Sequence, residues 1–102
     1  MRIIRERFLV DAAKIHPNSK ASLDFWRLAV REASWSNLQD VRKTFPPADA
    51  VRVDSCRIAT IFNIGGNHYR LITALHYNRG IAYTLAFLTH AEYDRDNWKR
   101  NL

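Results

Sequence analysis

From Arg57 onward the apolar side chains fall at every second position, and that alternation constrains the fold more than any other feature of the chain. Ile58, Thr60, Phe62 and Ile64 come first, then Tyr69, Leu71, Thr73, Leu75 and Tyr77, then Ile81, Tyr83, Leu85 and Phe87. A period of two sends successive side chains to opposite faces of a strand. The runs are separated by Gly65-Gly66, the only adjacent glycines, and by Asn78-Arg79-Gly80, both of which form turns. The pattern predicts a three-stranded antiparallel meander.

Before Arg57 the period is helical. Met1 to Arg5 is a short strand, after which Phe8, Leu9, Ala12, Ala13 and Ile15 recur at helical spacing up to His16-Pro17. Asn18 or Ser19 caps a second helix with an apolar stripe of Leu23, Trp26, Leu28, Val30 and Ala33. Ser36 with Gln39 forms a capping box for a third, short helix that Pro46-Pro47 ends, and residues 46 to 56 read as a loop. Thr89 with Glu92 is a further capping box, opening a final helix that includes Trp98. The expected architecture is α+β: a short N-terminal strand and two to three helices, then the meander and a C-terminal helix. At 102 residues it forms a single domain, residues 1–102, with one core.

Turn lengths predict a register. A two-residue Gly65-Gly66 turn pairs Ile64 with Asn67 and so Ile61 with Arg70, while a three-residue turn at 78–80 pairs Arg70 with Leu88. One face then collects Ile58, Thr60, Phe62, Tyr69, Leu71, Thr73, Leu75, Tyr77, Ile81, Tyr83, Leu85 and Phe87, and belongs against the helices. The other collects Arg57, Ala59, Ile61, Arg70, Ile72, Ala74, His76, Ala82, Thr84, Ala86 and Leu88, a surface of small residues and cations that a polyanion can approach.

The formal net charge is +6 and the pI about 10.0, with twelve arginines against four lysines. Arginine binds phosphate through a planar fork of donors, so its dominance favours a phosphate-bearing partner over a merely solvated basic surface. Cys56 is the only cysteine, which excludes an internal disulfide and suits a reducing cytoplasm. No apolar stretch is long enough to span a bilayer, and the basic N-terminus continues into an amphipathic segment holding Asp11 and Lys14, unlike a signal peptide. No two histidines share an element at metal-ligand spacing, so neither a metal site nor a cofactor is expected.

The predicted register brings His90 to the end of the sheet where Gly65, Asn67 and His68 turn, next to Arg70, and leaves His76 roughly 20 Å away at the other end. Here the residues reach a family. Phe62-Asn63-Ile64-Gly65-Gly66-Asn67 leading to Arg70, followed by Thr89-His90-Ala91-Glu92-Tyr93-Asp94, in a basic chain with helices before its sheet, closely resembles the HigB-type toxins of bacterial type II toxin-antitoxin modules, relatives of the RelE superfamily. The resemblance implies a RelE-like fold and a ribosome-dependent endoribonuclease, an mRNA interferase. It also implies a partner, a helix-turn-helix antitoxin of the HigA type that holds the toxin inactive.

The chemistry of metal-independent RNA cleavage agrees with that implication. The ribose 2′-OH attacks the adjacent phosphorus, so one proton must leave, another must arrive, and a dianionic phosphorane must be stabilised. Arg70 suits the phosphate, His90 proton transfer near neutral pH, and Tyr93, one helical turn on, base stacking or a proton. Asn67, His68 and Arg57 are candidate RNA contacts, and Asp94 contacts RNA or orients a neighbour. Which residue is acid and which is base stays open at this stage. Structural alternatives also stand: a tight hairpin demands glycines whatever its function, Arg70 could form a salt bridge with Asp94 or Glu92, His90 could be a surface or capping residue, and Tyr93 could be core. A non-catalytic RNA- or ribosome-binding module is the competing function.

Overall fold

The computed structural model describes residues 1–102. In chain order its elements are β1 (Arg2–Ile4), α1 (Glu6–Ile15), α2 (Lys20–Glu32), α3 (Leu38–Thr44), β2 (Asp49–Arg52), β3 (Ile58–Ile64), β4 (Tyr69–His76), β5 (Ile81–Thr89) and α4 (His90–Asp94). A 3-10 turn at Pro17–Ser19 joins α1 to α2, and another at Asn97–Asn101 follows α4. The strands form one sheet in the order β1-β5-β4-β3-β2, with β1 parallel to β5 and every other pair antiparallel. The α+β architecture and the meander β3-β4-β5 are those the alternation predicts. The sheet is wider, because β1 and β2 extend it at its two edges.

The helices cover one face. Leu9 and Ala12 of α1, Leu23, Trp26 and Val30 of α2, and Val41 of α3 meet Phe62, Ile64, Leu71 and Ala82 of the sheet in one buried cluster. Trp26 and Phe62 are fully buried and meet edge to face with ring centres 5.4 Å apart. Each such side chain contributes about 1.5–3 kcal/mol through burial. Glu6 at the start of α1 accepts hydrogen bonds from Arg27 and Arg31 of α2, which ties the two helices together beside this core.

Four local expectations are corrected. Residues 46–56 are not all loop, since β2 lies there and pairs with β3. The third helix is capped one residue later than predicted, by Asn37, whose side chain accepts from the Asp40 N–H. The helix opened by the Thr89–Glu92 capping box stops at Asp94, so Trp98 lies in the separate 3-10 turn beyond Asp96, which has φ of 62°. The hairpin loop after β3 spans four residues, Gly65 to His68, and so pairs Asn63 rather than Ile61 with Arg70. Both glycines sit at positive φ, and His68 N–H reaches back 3.4 Å to the Gly65 carbonyl. A shift of two residues preserves the predicted faces of β3 and β4.

On β5 two deviations compensate. The β4-β5 loop is one residue longer than predicted, pairing His76 with Ile81, and a bulge at Leu85 then restores the predicted Arg70–Leu88 pair. Between loop and bulge the side chains are inverted. Ala82 and Thr84 are buried towards the helices, and Tyr83 and Leu85 lie on the opposite face, the reverse of the expectation. That second face is also less open than expected. Trp98 folds back over it and closes a smaller core with Val53, Ala59, Ile61 and Ile72.

Candidate active site

Arg70 stands at the start of β4, paired with Asn63 on one side and Leu88 on the other. Its guanidinium is held by oxygens of the hairpin: Nη1 donates to the Asn67 and Tyr69 carbonyls, both at 3.1 Å, and Nη2 donates to Asn67 Oδ1 at 2.9 Å. Arg70 takes part in none of the ion pairs, so the salt-bridge alternative is not formed. Glu92 instead accepts the Thr89 N–H within the capping box, a bond that lowers its carboxyl below the ordinary range. Asp94 faces His90. The three bonds fix the direction of the Arg70 fork and leave its Nε–H and one Nη2 hydrogen, an adjacent pair of donors matched to two oxygens of a phosphate.

The Thr89–Glu92 box starts α4 directly off the end of β5, and the backbone N–H of His90 donates 3.0 Å to the His68 carbonyl in the hairpin. The first residue of the helix is therefore pinned to the turn that orients Arg70. His90 Nδ1 lies 2.9 Å from Asp94 Oδ2, one helical turn on. A ring nitrogen facing a carboxylate carries a proton, so Asp94 selects the Nδ1–H tautomer, in which Nε2 is the acceptor. Tyr93 closes the group, with the Arg70 guanidinium carbon 5.7 Å from its ring centre. Burial pushes its phenol above the ordinary value, so it keeps its proton at neutral pH.

Arg70, Asn67 and Tyr93 thus touch, and His90, Asp94 and the exposed His68 join them at one end of the sheet. Arg57 does not. It lies six residues before Asn63, roughly 20 Å along the sheet from Arg70's level, at the end where His76 stands. Trp98 is the contributor whose part at the site the sequence did not reveal. Its ring stacks on Tyr93 with centres 5.3 Å apart and planes 18° from parallel, and its indole N–H donates 3.0 Å to the Tyr93 carbonyl. No spacing rule signals that contact, because an irregular turn at Asp96 separates the two residues.

With the geometry in place, comparison with known proteins is informative. The chain is similar to the mRNA interferase toxin HigB of Escherichia coli strain K12, 26% identical over 94 residues that span 92% of this chain and 88% of the relative. It is similar also to the mRNA interferase HigB of Escherichia coli O6:H1 strain CFT073, 24% identical over 95 residues, or 93% of this chain and 90% of that one. Residues 19–96, which carry the hairpin, Arg70, His90 and Tyr93, match the family described as HigB toxin, RelE-like toxic component of a toxin-antitoxin system, and the chain belongs to that family.

Proposed function

We propose that this chain is an mRNA interferase, an endoribonuclease that cuts translated mRNA on the ribosome without a bound metal and so arrests translation and growth. The observation that carries the proposal is that Arg70, held by hairpin oxygens and free of any carboxylate, lies over Tyr93 at the end of the sheet where the His90–Asp94 pair is pinned to the same hairpin. In this reading His90 Nε2 takes the proton of the ribose 2′-OH, whose oxygen attacks the adjacent phosphorus. The free donor edge of Arg70 stabilises the dianionic phosphorane. Tyr93 gives its proton to the departing 5′-oxygen, so the P–O5′ bond breaks and leaves a 2′,3′-cyclic phosphate and a 5′-hydroxyl. Asp94 holds the imidazole, Asn67 holds Arg70, and His68 stands exposed beside them for RNA. The names of the curated relatives support the substrate class.

The partner fitting a toxin of this family is a cognate antitoxin, here a helix-turn-helix protein of the HigA type, with the cytoplasm as the compartment. No helix is long and apolar enough to cross a membrane. The test is induced expression of wild type, Arg70→Ala and His90→Gln, with growth curves and primer-extension mapping of cellular mRNA. The expected result is growth arrest with new 5′ ends inside translated frames, lost in both soluble variants. Arrest without new ends would replace this reading by that of a non-catalytic ribosome-binding module.

A further inference from the structure

The second face of the sheet carries a groove that the residues above do not use. At the end remote from Arg70 a cavity of about 310 Å³ is floored by Ala74 and Leu85, walled by His76 and Tyr83, and bordered by Arg57 and Asn101. That volume is at the lower end of those that hold a small organic ligand. The His76 and Tyr83 rings meet edge to face, with centres 5.1 Å apart. Leu85, Asn101 and Leu102 are shared with a second hollow of about 430 Å³, which runs along β5 past Trp98 to Glu92 and Arg95 at α4. The two hollows therefore lie side by side along β5, between the Arg57 end of the sheet and the helix that carries His90 and Tyr93.

The chemistry along it favours a nucleic-acid strand. Arg57 and Arg95 take part in no ion pair, and the one side-chain carboxylate lining the groove, Glu92, is held by the Thr89 N–H. A free guanidinium beside aromatic rings over an apolar floor takes a phosphate and a base together. We propose that Arg57, His76 and Tyr83 form a second nucleotide subsite, which takes one base and its phosphate from the RNA strand whose scissile phosphate lies at Arg70. The inference rests on the RNA-cutting reading of the Arg70 end. Arg57 thereby recovers a role in RNA contact, at a site separate from the reacting atoms.

The experiment is fluorescence anisotropy with end-labelled single-stranded RNAs of about three and about 12 nucleotides, short and long against the groove. The protein is the full chain carrying His90→Gln, which prevents cutting. The longer RNA should bind more tightly than the trimer, and Arg57→Ala with His76→Ala should weaken the longer RNA by about tenfold while moving the trimer less than about twofold. Arg70→Ala should weaken both. An unchanged affinity for the longer RNA in the double variant overturns the subsite, as does equal weakening of both lengths, which is the signature of general electrostatics. Loss of antitoxin capture with RNA affinity intact also overturns it and gives the groove to protein. Tight binding that depends on Arg57 and not on Arg70 keeps the subsite and removes the cleavage site instead. Failure of the longer RNA to bind overturns the subsite and leaves the cleavage site to the mapping of cellular mRNA.

Discussion

Arg70 is oriented by carbonyl and amide oxygens instead of carboxylates, so its direction is fixed while its charge stays available. Arg70→Ala should therefore abolish RNA cleavage yet leave the fold intact, costing about 1–2 kcal/mol in a urea titration, because the half-buried side chain lies outside the core and gives up only its hydrogen bonds to the hairpin. Arg70→Lys should remain inactive despite keeping the charge, because a point charge cannot present two parallel donors. At His90 the geometry separates two effects. Removing the base with His90→Gln should slow cleavage about 10²–10⁴-fold. Asp94→Asn should cost less than that, since the amide oxygen can still accept from Nδ1 and the pair is half-exposed. Equal losses in a single-turnover cleavage assay would show that Asp94 does more than hold the ring.

Among the elements, the hairpin loop and the first two helices carry the clearest consequences. Gly65 and Gly66 have φ of 62° and 68°, where a side chain is strained by about 1–2 kcal/mol. A Cβ at Gly66 meets open space, whereas one at Gly65 would lie 3.2 Å from the Tyr69 ring. Gly65→Ala should thus lower the melting temperature more than Gly66→Ala, and should also loosen the turn that holds Asn67 against Arg70. Glu6 gives a pH dependence. Its carboxyl is held below the ordinary value by the hydrogen bond from Arg31, with Arg27 adding to it. A depressed carboxylate stabilises the fold above its unfolded-state value, and that contribution disappears as pH falls through the folded-state value. Glu6→Gln should accordingly cost about 1 kcal/mol at neutral pH, and the gap between the two denaturation curves should close in acid. A gap that stays constant with pH would assign the loss to packing.

Across the whole molecule, the sheet divides the core in two. Four helix carboxylates, Glu6, Asp11, Asp24 and Asp40, pair with nearby Arg or Lys, while Arg57, Arg70 and Arg95 form no ion pair. Arg57 and Arg95 beside the groove and Arg70 at the candidate active site are thus cations free of carboxylates, and RNA affinity should fall steeply with salt. Trp98 couples stability to the site, since it closes the smaller core and stacks on Tyr93. Trp98→Ala should destabilise the fold by about 3–5 kcal/mol. Trp98→Phe should retain most of the stability and, by keeping a stacking ring behind Tyr93, most of the cleavage. A Phe variant that folds but does not cut would place the indole N–H bond to the Tyr93 carbonyl among the requirements of the site.

Much of this was legible locally. The alternation after Arg57, the helical stripes before it, and the Thr89–Glu92 box are each set within a few residues, so the three central strands, the α+β class and the start of α4 follow from local pattern alone. That pattern also carried His90 to the hairpin end, through a register in which one loop error was cancelled by the bulge at Leu85. The rest depends on contacts between residues far apart in the chain. Bulges and loop lengths depend on how both strands fit the helices above them, which is why Ala82 and Thr84, not Tyr83 and Leu85, face that core. The turn at Asp96 returns Trp98 over Ala59, Ile61 and Ile72, where its ring adds to the cover that Leu85, Leu88 and Tyr93 give and takes apolar surface out of water. That return puts an aromatic backing behind Tyr93, and burial by residues distant in sequence raises the Tyr93 phenol above its ordinary value.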